Sequence, residues 1–420
     1  MGRPHRSNWA RCLTYGATEV VAPSGIEEVV ETVRRCSAVK ALGTGHSFSD
    51  IADTDGTLLS TENLNHVLEI SAEGRFVRVE SGIRYGELSQ CLNGHGLALH
   101  NLASLPHISV AGACATATHG SGVRNGSLAS AVTALSFVAG DGSLVALSRA
   151  EDPAEFHGAV VSLGALGVVT ELTLEIEPAY EMTQTVYDDL PLAALRGHFD
   201  EVMSSAYSVS LFTRWTSPNV DQVWIKRRLD SDSGGVDLVR LGAIPARCKR
   251  SPVPEGVVEN CTDQLGAPGP WCDRLPHFRL GFTPSSGEEL QTEYFVAREH
   301  AWEALELLDG IRGAIAPILQ TTEIRTIAAD SYWMSPCFER DSVAIHFTWK
   351  KDWDRVGALL PRIESMLAPF EPRPHWAKLC AFDPAALRRR YPLLGKFKEL
   401  KEKYDPRGKF ANRCLRSLLR

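Results

Sequence analysis

Two stretches built from small residues constrain this chain more than anything else in it: VKALGTGHSFSD at 39–50 and ASLPHISVAGACATATHGSG at 103–122. The first is an apolar run that stops at glycines, so it reads as a strand over 37–42 followed by a tight loop. Glycine lets the backbone turn sharply and lets a ligand approach closely. Gly43 and Gly45 match the start of a dinucleotide fingerprint, yet Phe48 stands where the third glycine belongs, and no lysine follows as a P-loop requires. The second stretch also keeps its backbone accessible, and free amides at turns and helix starts bind anions. Ser109 is placed to cap a short helix over 110–115. Taken alone, the second stretch could equally be a tightly packed loop. Two such segments in a chain without a standard nucleotide motif point to a large phosphate-bearing cofactor.

The rest of the composition narrows the class. A chain of 420 residues has room for two or three domains, and 44% hydrophobic with 23% charged residues is ordinary for a soluble globular protein. A net charge of −7 with no basic block argues against nucleic acid as the main partner. The basic run Lys396–Lys403 reads as a solvated helix face. No segment approaches the roughly 18 apolar residues that span a bilayer. MGRPHRSNWARC, at the start, lacks the apolar core of a signal peptide. Ten cysteines without a CxxC pair or zinc-type spacing read as reduced thiols in a cytoplasmic protein. The thirteen histidines never pair with carboxylates at ligand spacing, so no metal is expected; ligands distant in sequence remain the alternative.

Along the chain, Ser24 and Glu27 form a capping-box pattern before a helix over 24–36. Strands are expected at 75–80 and 166–176, a helix at 84–94, and a hairpin over 131–147 turning at Asp141-Gly142. Residues 242–272 are rich in Pro, Gly and Cys and read as an irregular excursion. Helices at 297–312 and 353–367 and strands at 322–329 and 343–349 follow, then a helical tail at 384–420. Composition changes place boundaries near 178 and 377.

Three extended runs carry polar residues two apart: Glu323 and Arg325, His346 and Thr348, Trp376 and Lys378. In a strand such pairs share a face. Val343, Ile345, Phe347 and Trp349 alternate with His346 and should pack as core. One sheet face is therefore apolar and the other carries polar groups that must pair if buried, as Glu323 and Arg325 can. A half-exposed sheet with its polar residues in water is the other reading of any single pair.

These residues carry a family resemblance. The GTGHS loop, the small-residue segment ending in HGSG and the tail motif DPRGKFAN resemble the vanillyl-alcohol-oxidase-type FAD enzymes. LGTGHSFSDIA, SLGALGVVTELTLEIEPAYEM, TEIRTIAAD, AIHFTW and RPHWAK resemble bacterial alditol oxidases, in order and over nearly the whole chain. The match is weakest at 228–256. The resemblance implies an α+β, two-domain FAD-binding fold of the vanillyl-alcohol-oxidase type. The FAD-binding domain would span 1–178. A substrate-binding cap domain at 179–376 would be an antiparallel sheet flanked by helices, and 377–420 would return to the FAD domain.

The resemblance further implies FAD bound covalently through His46. Gly43, Thr44, Gly45, His46 and Ser47 would hold the pyrophosphate. Ser104, Ser109, Gly112, Ala113, Ala115 and His119 would follow the ribityl chain and ring, and Val168 would offer backbone near the adenine. His119 has an equal reading as a structural histidine in a tight turn. Cys114 is expected to pack as a thiol rather than form a second flavin bond. Ser104, Glu323, Arg325, Thr348 and Lys378 would bind the polyol. Arg325 and Lys378 are candidates for polarising its hydroxyl oxygen and His346 for accepting the proton. The implied reaction takes a terminal primary alcohol to the aldose with dioxygen reduced to hydrogen peroxide, in a monomer. An aldonolactone oxidase or dehydrogenase is the alternative within the superfamily, and a non-catalytic flavin-binding module the alternative outside it.

Overall fold

A computed structural model describes residues 7–231, 235–253, 256–282 and 288–420. Parallel pairing of the short strands Glu19–Val21, Thr57–Ser60 and Val39–Leu42, in that order, begins the fold. Beside them lies a five-stranded antiparallel sheet ordered Val67–Ile70, Phe76–Glu80, Val168–Glu175, Val132–Val138 and Leu144–Ser148. Alternation puts Val77, Val79, Leu172 and Leu174 in one core. The expected hairpin turns at Asp141-Gly142, where Gly142 has φ +83° and Asp141 accepts from the Ser143 amide at 2.8 Å.

The helix Ile26–Arg35 forms without the expected capping box. It starts one residue too late for Ser24 to be its cap, and the Ser24 amide instead donates to Glu28 at 2.8 Å. The helix Val110–Ala115 follows Ser109, but the Ser109 hydroxyl does not cap it.

The second region is a nine-stranded sheet. Its main strands run antiparallel in the order Glu181–Pro191, Asn219–Arg228, Ser208–Thr213, Leu319–Ile327, Ser342–Lys350 and Glu289–Ala297. Val343, Ile345, Phe347 and Trp349 are fully buried under the helices Ala301–Asp309 and Trp353–Leu367, as the alternation required. The helix expected over 297–312 is shorter: a 3-10 turn precedes it and it ends at Asp309. Of the 242–272 excursion, residues 254–255 lie outside the described set. The rest is irregular, touching the sheet through Ile244–Pro245 and Gly269–Pro270.

The tail folds back on the first region as three short helices, and Phe397, Leu400 and Leu415 enter its core. The DPRGKFAN motif is a clip. Asp405 accepts from the amides of Lys409 and Phe410 at 2.8 and 2.9 Å, Asn412 donates to the carbonyls of Asp50, Ile51 and Asp53, and the Val39 amide donates to the Lys409 carbonyl at 2.9 Å. It thereby braces both ends of the glycine loop.

Candidate active site

One continuous cavity of about 440 Å³ is bounded by the small-residue loops on one side and by the polar face of the large sheet on the other. Its loop half depends on missing side chains. A Cβ on Gly43 would lie 2.2 Å from the Ser109 hydroxyl and one on Gly112 2.9 Å from it, while Gly45 has φ +70°. The two loops meet where Thr44 Oγ1 accepts from the Ser109 amide at 3.3 Å. Asn8 donates to the Ser47 carbonyl at 2.8 Å and the Trp9 amide to that of Gly45, also at 2.8 Å.

His46 stacks on Trp9 with ring centroids 5.1 Å apart, and its Nδ1 lies 2.9 Å from the Thr44 hydroxyl. Burial, assisted by His107 and Lys378, pushes its pKa down to about 4, so the ring is neutral and keeps a lone pair near pH 7. Lys40, unforeseen from sequence, lines the same half. Its Nζ donates to the carbonyls of Leu163 and Gly164 at 3.0 and 2.9 Å, and burial pushes it down to about 7. A backbone cradle that a single Cβ would fill, next to a buried lysine and a neutral histidine, fits a dinucleotide with its diphosphate.

The sheet half is set by register. Glu323, His346 and Glu293 lie opposite one another on three adjacent strands, and Thr321, Thr348 and Gln291 form the next row. All six side chains line the cavity. Arg325 bridges the acids, 2.8 Å from Glu293 and 3.5 Å from Glu323, and its Nη1 lies 3.3 Å from the Ser104 hydroxyl. Glu293 also meets His119 Nε2 at 3.1 Å and His346 Nδ1 at 3.4 Å, and His346 Nε2 lies 3.1 Å from the Thr348 hydroxyl. Lys378 donates to Gln291, whose own amide donates to Glu289 at 2.6 Å.

The charges follow from these partners. Burial acts to raise both carboxylates. His119, Arg325 and His346 nevertheless hold Glu293 well below the usual range, and Arg325 and His277 do the same for Glu323. Burial lowers His346 against the pull of Glu293, and lowers Lys378 to about 8. Around Arg325 the face thus holds the carboxylates of Glu293 and Glu323 and the neutral His346, with Lys378 and Glu289 on either side of Gln291.

Two further bonds join the halves. The Phe48 amide donates to the Ala377 carbonyl at 2.6 Å, and the Lys378 ammonium sits 5.2 Å from the centre of the Phe48 ring. The glycine loop and Lys378 are therefore fixed relative to each other.

Most residues singled out from sequence meet in this cavity; two placements differ. Val168 is turned into a separate core with Val29 and Val39, and its neighbours Gly167 and Val169 reach the cavity instead. Trp376 and Lys378 do not share a strand face, because the chain turns there. Trp376 packs on Tyr391 and donates to the Met334 carbonyl, while Lys378 alone points inward. Cys114 is buried beside the Tyr85 hydroxyl, with burial pushing its thiol up to about 12. Glu293, Gln291, Glu289, His277 and His375 were not foreseen.

His119, Glu293 and His375 place possible ligand atoms within 4.8 Å of one another. Their hydrogen bonds oppose a cation. The His375 Nδ1 accepts from the Ala377 amide, which leaves the proton on Nε2, and the Glu293 oxygen nearest His119 is already taken by Arg325.

Among the described residues, no helix is long and apolar enough to cross a membrane. An FAD-binding-domain family model matches residues 17–148, and a D-arabinono-1,4-lactone oxidase model matches residues 288–418. The chain is 50% identical to alditol oxidase from a Streptomyces species over 98% of both chains. It is 28% identical to L-gulonolactone oxidase of Mus musculus over 97% of this chain and 96% of the relative. The fold, an α+β two-domain FAD-binding architecture, is shared with cholesterol oxidase from B. sterolicum at a TM-score of 0.78 and 14% identity, covering 99% and 96% of the two chains.

Proposed function

The chain belongs to the alditol oxidase family, and from that premise we propose that it binds FAD and oxidises the terminal primary hydroxyl of open-chain polyols, of the xylitol and sorbitol kind, to the aldose. The observation that carries the reading is the row Glu323–His346–Glu293, with Arg325 and Lys378, facing the glycine loops across one cavity. A polyol is uncharged and rich in hydroxyls. Buried donors and acceptors left unpaired by a poor fit discriminate strongly against it.

Bound FAD would supply the hydride acceptor and return the electrons to dioxygen as hydrogen peroxide. The chain's own part is binding and proton handling. Gly43, Thr44, Gly45 and Ser47, with Ser109, Gly112, Ala113 and Ala115, present the backbone that holds the cofactor, and neutral His46 is its covalent anchor. Ser104, Glu323, Arg325 and Thr348 bind substrate hydroxyls. Lys378 polarises the reacting oxygen. His346, neutral and backed by Glu293 at 3.4 Å, accepts the hydroxyl proton, and Glu293 stabilises the imidazolium that results. Arg325, already held by two carboxylates, fixes their charge rather than polarising the reacting oxygen.

The lactone-oxidase model over residues 288–418 supports the second reading, oxidation of a sugar lactone. Peroxide release separates the two. Xylitol and sorbitol are expected to give kcat/KM about 100-fold or more above L-gulono-1,4-lactone; the reverse preference, or turnover only with an artificial electron acceptor, contradicts the proposal. Acid precipitation tests the anchor: the wild-type pellet should stay yellow and the His46→Ala pellet should not.

A further inference from the structure

The least regular part of the chain ends at the most ordered part of the site. After the excursion, His277 enters the cavity and is itself buried. Its amide and that of Phe278 both face the Ser104 carbonyl, at 3.2 and 3.4 Å, and the Leu280 carbonyl lies 2.8 Å from His107 Nε2. The segment is thus clipped to the second cofactor loop.

Below His277 lies Lys226, buried on the strand Asn219–Arg228. Its Nζ donates to the carbonyls of Leu275 and Pro276 and faces His277 Nδ1 at 3.2 Å. The Glu323 carboxylate, 2.8 Å from Nε2, only accepts, so the ring proton sits on that nitrogen. The Lys226 ammonium, whose pKa burial pushes down to about 7, gives its remaining N–H to Nδ1 below that pH. The ring has little freedom to turn, since Phe212 and Trp224 meet it edge-on at 5.4 and 5.1 Å.

We propose that His277 is a positioning residue for substrate recognition: held in one tautomer by Lys226, it fixes the Glu323 carboxylate as an acceptor for substrate hydroxyls. This rests on the polyol reading of the cavity and gives the excursion a task, delivery of His277. The groups facing the ring are Lys226, Glu323 and Arg325, with the two aromatic rings. Burial first, then Lys226 and Arg325, push its pKa down to about 4, and Glu323 opposes them. Removing the lysine charge moves that pKa up. An imidazolium would then draw on the charge of Glu323 and weaken it as an acceptor.

The test uses FAD-loaded enzyme with xylitol. His277→Leu removes one hydrogen bond to a charged group, so its KM should rise about 10- to 100-fold with kcat changed less. His277→Gln, which keeps an N–H at similar reach, should recover most of that. Lys226→Met should show KM rising as pH falls from about 6.5 toward 4, where wild type stays flat. If the leucine variant fails to fold, His277→Asn, too short to reach Glu323, is scored in its place. Unchanged KM and an unchanged pH profile in variants with a native flavin spectrum overturn the proposal while the polyol reading stands. Wild-type enzyme that oxidises lactones and not polyols overturns that reading and this proposal with it.

Discussion

The two walls of the cavity are built on opposite principles. The loop wall recognises through backbone: Gly43, Gly45 and Gly112 matter because of atoms they lack. The sheet wall recognises through side chains set by register, with Glu293, His346 and Glu323 in one row and Arg325 tying the acids together. The loop wall should therefore tolerate changed polarity and reject added volume. The sheet wall should tolerate small changes of volume and reject any change that unbalances charge.

Substitutions can break this contrast. The largest effect is expected at Arg325. Arg325→Met roughly keeps the volume but leaves Glu293 and Glu323 buried without their cation, which should cost about 3–5 kcal/mol of stability in denaturant unfolding. A loss under about 1 kcal/mol would mean that the acids are neutral or reached by water. Next is Gly43→Ala. The new Cβ meets the Ser109 hydroxyl, so overpacking should cost about 1–3 kcal/mol of stability and lower FAD incorporation as the two loops part. Ser109→Gly in the same chain should restore both, and failure to do so would place the clash elsewhere.

The smallest effect comes from acid. His277, buried, and His100, half-buried, are both neutral, with loss of solvation pushing each down to about 4 from an unfolded value near 6.5. Below 6.5 the unfolded chain takes up protons that the folded chain refuses. Their contribution is thus fully present above that pH and lost as pH falls toward 4. The thermal midpoint should fall over that window, and the fall should shrink in His100→Phe; an equal fall in the variant would remove His100 as a source.

The contrast also explains what could be read from sequence. A backbone cradle leaves its mark in composition, so both small-residue loops were legible. Val168 was chosen for its backbone; its side chain packs in a separate core, and Gly167 and Val169 on either side of it line the cavity. Glu323, Arg325, His346 and Thr348 were legible because strand periodicity put each pair on one face. Gln291 and Glu293 stand two apart in ELQTEYFVA and carry the same signal, hidden in a strand that is buried almost throughout. Spacing misled at Trp376 and Lys378, where the chain turns. His277 had no local signal: it reaches Glu323 from irregular chain, 46 residues away in sequence.

The division of labour between the walls is tested most directly by anaerobic bleaching of the flavin with xylitol in wild type and Lys378→Met. The expected result is equal FAD content with bleaching slowed about 100- to 1,000-fold in the variant, the loss that removal of one preorganised charge donor brings. Bleaching at the wild-type rate would contradict the assignment of the chemistry to the sheet wall.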